Sequence, residues 1–430
     1  MSLRILFLSN FFPPHHLGGY EELCEEVAEG LKRRGHELAV LTSRRGVRWA
    51  CEDPGPVFRW LHSEIDYESG RIPFQFLRGQ DQRLRENILA LNEALTRLQP
   101  DVVVAWGMWN LSRELLSEIE TRAGTPIVYY LADYWPVLPD AFTLHWQEPA
   151  RRLIMRWPKR LTGAALQRLG GRQHEFTNPS FDHVLCVSAA TRDHLQQNGV
   201  RFGDVRVIYN GIRSSSGRAA ASTECRPGTS ELRIVYAGRL SPEKGLGTAL
   251  SAMALLRKTG RQVSLTIAGS GPPWYERELL AQAQTLALGT TVSLIGRVER
   301  SQLPSLLGSS DVMVVPSVWA DPLPRIIQEG MDAGLVVVAS EVGGIPEIVE
   351  HNVNGLLFPP GDGSALARLI EGVQDDPELR SRLAAAATVT VRARFGIDRT
   401  IQEIEDYLCS LVARSEFEVE SRVTPFRTRA

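Results

Sequence analysis

The sequence alternates short apolar runs with amphipathic stretches, and it does so in two series. The first series opens with an apolar run at 5–8, a helical stretch at 21–34 and a second apolar run at 38–41. Gly35 follows the helical stretch, and glycine is common just past a helix end. Further apolar runs lie at 102–105, 127–130, 184–187 and 205–208. This order predicts βαβ units and a parallel sheet covered by helices.

A second series of apolar runs follows, at 234–237, 263–267, 292–294, 312–315 and 336–339. The connection before it, 214–230, is rich in Ser, Gly, Ala and Thr, which is typical of an exposed linker. We therefore predict an α/β protein of two doubly wound domains that face each other across a cleft. The predicted domains are 1–213 and 231–399. A helix at 400–414 should cross back to the first domain, and 415–430 should form a polar tail.

Charge and cysteine content narrow the functional class. The formal net charge of -2 gives no basic footprint, which argues against a nucleic-acid partner. The 5 cysteines have no CxxC spacing and suit reduced thiols. The apolar run within the first ten residues is too short for a secretory signal. No segment approaches the roughly 20 apolar residues that span a membrane. We therefore expect a cytoplasmic protein.

Two cations follow the first apolar run of the second series, in the segment Tyr-Ala-Gly-Arg-Leu-Ser-Pro-Glu-Lys-Gly at 236–245. Arg239 can offer a bidentate fork and Lys244 a point charge. Together they can neutralise a leaving diphosphate, whose charge rises as its bond to a sugar breaks. The spacing alone leaves open a surface loop with solvated charges, since not every helix N-terminus after a strand binds an anion.

Two carboxylates follow the apolar run at 312–315. A proline near the first helical turn predicts a helix, with Asp321 in the loop before it and Glu329 inside it. Carboxylates accept hydrogen bonds from sugar and ribose hydroxyls, which must be paired once they are desolvated. The alternative is equally open on spacing alone: Asp321 caps the helix and Glu329 is a solvated helix residue.

In order and spacing, these segments resemble the GT-B glycosyltransferases of the large retaining family 4, also called group 1. The resemblance spans nearly the whole chain. It is carried by Gly18-Gly19, Gly238-Arg239-Leu240, Lys244-Gly245, Asp321 to Glu329 in place of the family's E-x7-E, Val-Gly-Gly-Ile-Pro-Glu-Ile-Val at 342–349, and Asn-Gly-Leu-Leu at 354–357. The resemblance implies two Rossmann-like domains and transfer of a sugar from a nucleotide-diphosphate donor, with retention of configuration and without a metal ion.

The resemblance also implies roles for individual residues. Arg239 and Lys244 would hold the diphosphate, Glu329 would bind the ribose hydroxyls, and Asp321 would bind hydroxyls of the transferred sugar. The donor side would be completed by Gly18, Gly19, Gly238, Leu323 and Arg325. Backbone N–H groups at glycine can approach a phosphate closely, although a tight turn would also select glycine. Asp133 would join the catalytic residues, and the acceptor side would contain His15, His16 and Tyr134.

Three positions depart from the family pattern. Ala132 stands where many relatives have a histidine beside the aspartate, here Asp133. Asp321 is one methylene shorter than the usual glutamate, and Pro324 replaces a usual glycine, which removes one backbone N–H. The diphosphate residues are intact, so we expect an active enzyme with an unusual sugar pocket. Two alternatives remain: a nucleotide-sugar epimerase of the same fold and a catalytically silent nucleotide-sugar-binding protein.

Two further features concern partners. His15 and His16 are adjacent, and adjacent side chains seldom converge on one metal ion, so we expect no metal site. Basic and apolar residues interleave at 151–172, a pattern that suits peripheral contact with the inner membrane face. A helix packed on the first domain is the alternative, because Pro158 interrupts any long amphipathic face. The acceptor is accordingly left as a glycan, a lipid-linked molecule or a small molecule.

Overall fold

The computed structural model describes residues 1–15, 18–44, 56–65, 80–122, 125–139, 141–147, 157, 161, 179–214 and 231–423. The chain divides into two compact units. The first comprises Met1–Cys186, Arg192–Ile208 and Ile401–Ala430. The second comprises Val187–Thr191 and Tyr209–Thr400.

Parallel strands form one sheet in the described part of the first unit. They are β1 (Arg4–Ser9), β2 (Glu37–Ser43), β3 (Val57–Leu61), β4 (Val102–Gly107), β5 (Ile127–Leu131), β6 (His183–Cys186) and β7 (Asp204–Val207), in the order β3-β2-β1-β4-β5-β6-β7. The helices between them are α1 (Gly19–Arg33), α2 (Gln80–Leu98), α3 (Glu114–Glu120), α4 (Ala141–Gln147) and α5 (Ala189–Gln197), which belongs to the first unit from Arg192 onward. Every residue of β4 is buried, as expected for a parallel strand covered on both faces.

The described part of the second unit repeats this plan. Its strands are β8 (Leu232–Ala237), β9 (Val263–Ala268), β10 (Val292–Gly296), β11 (Val312–Val315), β12 (Val336–Ser340) and β13 (Leu356–Phe358), all parallel, in the order β10-β9-β8-β11-β12-β13. The helices are α6 (Leu246–Lys258), α7 (Pro273–Thr285), α8 (Leu303–Gly308), α9 (Arg325–Asp332), α10 (Ile345–Ile348), α11 (Gly363–Asp375) and α12 (Pro377–Arg394). The last helix, α13 (Ile397–Val423), begins in the second unit and belongs to the first unit from Ile401 onward. Short 3-10 turns lie at Pro242–Lys244 and Gly289–Thr291.

The strand order reverses beside the first strand of each sheet, between β1 and β4 and between β8 and β11. In open parallel sheets, ligands bind outside the carboxyl ends of the strands at such a reversal. In the second unit, the loops at that point are 238–245, after β8, and 316–324, after β11. The fold therefore brings together two segments that are far apart in the sequence and that both carry predicted site residues.

The prediction of two doubly wound α/β sheets is confirmed, while some limits differ from those drawn on the sequence. Residues 209–213 lie in the second unit, and of the expected linker at 214–230 the structure describes Ser214 alone. Helix α13 extends to Val423, so residues 415–423 of the expected tail are helical. The physical reason is that neither glycine nor proline interrupts the chain there before Pro425, which disfavours helical backbone at the residue preceding it.

Candidate functional site

The two loops at the strand-order reversal of the second sheet are joined by close backbone contacts. The N–H of Val318 donates to the carbonyl oxygen of Glu243 at 3.0 Å. A Cβ at Gly245 would lie 1.8 Å from the carbonyl oxygen of Pro316, and the φ of Gly245 is +69°. Glycine is required here both for its left-handed conformation and for the close approach of the two loops.

Lys244 and Asp321 form an ion pair across these loops. The Nζ of Lys244 lies 2.5 Å from Oδ2 of Asp321, and the side chains are 21% and 10% exposed. The hydroxyl of Ser317 donates to the same carboxylate oxygen at 3.3 Å. Charges this far from solvent are less screened than surface charges. The structure thus brings together a cation and a carboxylate that the sequence predicts as separate site residues.

Arg239 lies on the first of these loops in a more open position. Its Nη2 donates to Oε1 of Glu243 at 3.2 Å, and its side chain is 56% exposed. The hydroxyl of Ser241 donates to the same Glu243 oxygen at 2.6 Å. An exposed pair of this kind is weak, so the guanidinium of Arg239 can exchange its partner at small cost.

The turn that carries Gly238 and Arg239 is held by its own backbone. The N–H of Gly238 donates to Ala268 O at 3.0 Å and that of Leu240 to Ser270 O at 2.9 Å. These bonds continue the β8–β9 ladder past the strand ends. The buried hydroxyl of Tyr236 donates to the carbonyl oxygen of Arg239 at 2.7 Å, and burial raises the pKa of that phenol well above its usual range. The Arg239 backbone is therefore fixed while its side chain stays accessible.

The loop that carries Asp321 rests on Gly343 and Gly344. The N–H of Gly344 donates to the carbonyl oxygen of Asp321 at 2.8 Å. A Cβ at Gly343 would lie 2.3 Å from that oxygen, and a Cβ at Gly344 would lie 1.9 Å from the carbonyl oxygen of Pro322. These glycines belong to the 342–349 motif, for which the sequence suggests no role. In the structure they support the loop that holds Asp321.

Asp321 does not cap the following helix, in contrast to the alternative that the spacing leaves open. Pro324 is the N-cap residue of α9, and no side chain there makes a capping hydrogen bond. Leu323 and Arg325 flank it and are 4% and 8% exposed. The carbonyl oxygen of Leu323 accepts from Nδ2 of Asn210 at 3.2 Å. These two side chains therefore pack into the unit at the start of α9.

Glu329 lies within α9 and is not a solvated helix residue. Its side chain is 12% exposed, and its Oε1 lies 2.5 Å from Nη2 of Arg300. Arg300 lies shortly after β10, the strand at the edge of this sheet, and its side chain is 49% exposed. Nothing in the sequence marks Arg300, because no motif surrounds it and its partner is remote along the chain.

The glycine pair of the first unit lies at the start of α1. The N–H of Gly18 donates to Oε2 of Glu21 at 3.1 Å, and Gly19 is the first residue of the helix. The backbone at Gly18 is extended, with a φ of -174°, and a Cβ there would meet nothing within 4 Å. The structure itself therefore does not require glycine at position 18, in contrast to position 245.

Asp133 lies just after β5 at the carboxyl edge of the first sheet. The N–H of Trp135 donates to its Oδ1 at 3.2 Å. Burial raises the pKa of Asp133 to about 7, the negative charge of Glu21 acts in the same direction, and the Trp135 hydrogen bond and Arg113 oppose it. The carboxyl group is thus near its titration midpoint at neutral pH, where it can either donate or accept a hydrogen bond.

The three residues predicted for the acceptor side differ in burial, and the structure describes two of them. Tyr134 is 2% exposed, and its ring packs on His194 at a centroid distance of 4.4 Å. His15 is half-buried, and its N–H donates to Phe12 O at 3.1 Å. His16 lies outside the described residues.

Asn10 is a polar residue at the first sheet's reversal point that sequence reasoning missed. It directly follows β1 and is 1% exposed. In the described part of the chain, neither its Nδ2 nor its Oδ1 has a hydrogen-bond partner. Its position directly after β1 becomes a signal only when the strand order is known, because that order places the reversal beside β1.

The basic stretch at 151–172 lies outside the described residues except for Trp157 and Leu161, which are 74% and 66% exposed. Within the ranges described, none of the helices combines the length and the apolar character needed to cross a bilayer.

Comparison with known proteins adds family and fold. A family model described as "Glycosyl transferases group 1" matches residues 224–390, and one described as "Glycosyltransferase Family 4" matches residues 17–215. The chain is 26% identical over 412 residues to a glycogen synthase of Mycobacterium tuberculosis, with 91% of each protein covered.

Two solved structures share the fold. Sucrose-phosphate synthase from Thermosynechococcus elongatus has a TM-score of 0.73 at 19% identity, with 95% of this chain and 99% of that chain covered. HepE of Anabaena, crystallised with UDP and glucose, has a TM-score of 0.66 at 22% identity, with 95% of this chain and 100% of that chain covered. These likenesses identify the fold as GT-B.

Proposed function

The chain belongs to the group 1 glycosyltransferases of the GT-B fold, and from this premise we propose that it moves a sugar from a nucleotide-diphosphate donor to an acceptor hydroxyl. We propose further that the anomeric configuration is retained and that no metal ion takes part. The observation that carries the proposal is the Lys244–Asp321 pair, at 2.5 Å, where the second sheet's strand order reverses.

The donor diphosphate is bound by Arg239 and Lys244. Each is paired with one carboxylate in the structure, Arg239 with Glu243 and Lys244 with Asp321. A diphosphate carries more negative charge than a single carboxylate and offers several acceptor oxygens, so it can replace both partners. The exchange frees the carboxylate of Asp321 to accept a hydrogen bond from a hydroxyl of the transferred sugar.

The reaction breaks the bond between the anomeric carbon and the diphosphate oxygen and forms a bond from that carbon to the acceptor oxygen. The acceptor's hydroxyl proton passes to an oxygen of the departing phosphate. Negative charge grows on the diphosphate during this step, and two nearby cations stabilise that charge more in the transition state than in the ground state. Arg239 and Lys244 therefore supply the positive charge that a divalent metal ion would otherwise supply to the leaving diphosphate.

The departures from the family pattern bear on the end of the site that binds the transferred sugar. Asp321 in place of a longer glutamate, together with Pro324, leaves more room and one backbone N–H donor fewer around the transferred sugar. We propose that the acceptor is a glycan, a lipid-linked molecule or a small molecule, with His15, His16 and Tyr134 on its side and Asp133 among the catalytic residues. For a lipid-linked acceptor, the stretch at 151–172 would contact the cytoplasmic membrane face.

A donor screen tests this function. The full chain is incubated with UDP-, GDP- and ADP-linked sugars, with and without EDTA, and release of nucleoside diphosphate is followed. We expect slow hydrolysis of one donor class, unaffected by EDTA, and an anomeric proton coupling in the first product that matches the donor. Thermal stabilisation by a nucleoside diphosphate without turnover of any donor would instead identify a silent binding protein.

A further inference from the structure

The Arg300–Glu329 pair joins two elements that are not neighbours in the second sheet. Arg300 follows β10, and Glu329 lies on α9, the helix after β11. Two strands, β9 and β8, separate β10 from β11. With about 4.8 Å between neighbouring strands, the strands that precede the two residues are roughly 14 Å apart. The segment after β10 therefore extends across the carboxyl edge of the sheet toward α9. The Lys244–Asp321 pair lies at the same edge.

The pair is asymmetric in burial. The Glu329 side chain is 12% exposed, whereas that of Arg300 is 49% exposed. Removing a carboxylate from water is costly unless a cation or hydrogen-bond donors pair with it. Within the described part of the chain, Arg300 is the partner that the Glu329 carboxylate has, and the contact is made to Oε1. The second oxygen, Oε2, keeps its hydrogen-bonding capacity.

We propose that Arg300 is a positioning residue for the donor ribose and acts through Glu329. The inference rests on the proposed function, in which Glu329 accepts hydrogen bonds from ribose hydroxyls. By holding Oε1, Arg300 limits the rotation of the carboxylate, while Oε2 faces the nucleotide. A preoriented carboxylate binds a hydroxyl more tightly than a freely rotating one, because less ordering is required when the hydrogen bond forms.

This pair has a different role from the other two pairs at the same edge. Arg239 and Lys244 give up their carboxylate partners to the diphosphate, whereas Arg300 keeps its partner when the nucleotide binds. Loss of Arg300 should therefore affect recognition of the ribose and leave recognition of the phosphates unchanged.

The test compares nucleotides with and without ribose hydroxyls. Binding of UDP and of 2′,3′-dideoxy-UDP, or the guanosine or adenosine equivalents if the donor screen selects them, is measured by calorimetry on the full chain. We expect Arg300→Gln to weaken binding of the ribonucleotide about tenfold and to leave the dideoxy analogue unchanged. Arg300→Lys should restore part of the loss, and in a Glu329→Gln background Arg300→Gln should add no further loss.

A matched control is Arg261→Gln. Arg261 pairs with Asp375 in the same unit but precedes β9, at the opposite edge of the sheet, and this substitution should change neither affinity. An equal loss for both nucleotides in Arg300→Gln, or no loss for either, would overturn the proposal for Arg300. If the wild-type protein itself binds the two nucleotides equally, the ribose role of Glu329 fails instead. If it binds no nucleoside diphosphate, the proposed function itself is overturned.

Discussion

The two units are alike at the amino edges of their sheets and unlike at the carboxyl edges. At the amino edge, Arg4 at the start of β1 donates its backbone N–H to Oδ2 of Asp101 at 2.7 Å and its Nη2 to Oδ1 at 2.7 Å. Arg233, near the start of β8, makes the same two contacts with Asp311 at 2.9 and 2.8 Å. In each unit this clamp ties the first strand to the residue before the strand on the other side of the reversal.

The carboxyl edges have diverged in chemistry. In the first unit, β1 is followed by the buried amide of Asn10, and Trp106 stacks on Tyr130 at 3.8 Å. In the second unit, the corresponding loops carry the ion pairs of Arg239 and Lys244. The comparison indicates that the shared clamp maintains a common fold, while the edge where ligands bind is free to differ. It supports the proposal that the anionic donor binds in the second unit.

The largest expected effect is a loss of donor turnover when a cation is removed at the carboxyl edge of the second unit's sheet and not at its amino edge. Lys244→Ala should lower donor turnover by about 10²–10³-fold, because one charge that stabilises the leaving diphosphate is lost. Lys258→Ala is the control, since Lys258 is exposed at the far end of α6 and should retain full activity. Rates are compared after circular dichroism has shown that both variants are folded. Wild-type turnover in Lys244→Ala would remove this site from the mechanism.

A smaller effect compares the glycines that precede or open the first helix of each unit. Gly245→Ala should destabilise the protein by about 2–4 kcal/mol, because its φ is +69° and the new Cβ would meet Pro316 O at 1.8 Å. Gly18→Ala should change stability by less than about 0.5 kcal/mol, because nothing lies within 4 Å of its Cβ position. Urea unfolding measures both. Similar values would mean that the loop contact after β8 is not a constraint on the fold.

The smallest effect concerns Asp133 and the pH dependence of stability. Its folded pKa, about 7, lies above the ordinary aspartate pKa of 3.8, so between these values the folded state binds more protons than the unfolded state. The stability contribution of this group therefore falls as pH rises from about 4 to 7. Asp133→Asn does not titrate, and its Tm relative to wild type should rise by a few degrees between pH 5 and pH 8.

Asp101→Asn gives the opposite sign and serves as the control for Asp133. Desolvation favours the protonated form of Asp101, but the hydrogen bonds from Arg4 outweigh it and lower the pKa. Asp101 therefore contributes stability at neutral pH that is lost as pH falls through its folded pKa. Its replacement should cost stability at pH 7 and little at acid pH. A Tm difference for Asp133→Asn that is independent of pH would contradict a raised pKa at that position.

The candidate site shows which features can be selected from the sequence and which cannot. The segments at 236–245 and 321–329 could be selected because each follows an apolar run and combines charged residues with glycine or proline at loop positions. Their local chemistry is readable without coordinates. Which charge partners which is not readable, since Lys244 pairs with Asp321 and Glu329 with Arg300 across long stretches of chain.

Local patterns in the chain were sufficient to specify two series of parallel strands, the helices between them and the loops that carry cations and carboxylates, because hydrophobic period, glycine and proline act over a few residues. Long-range packing settled the rest. The support of the Asp321 loop by Gly343 and Gly344 and the burial of Asn10 depend on contacts between segments that meet only when strands are ordered in a sheet. Strand order is a property of the whole unit, so no window of the sequence contains it.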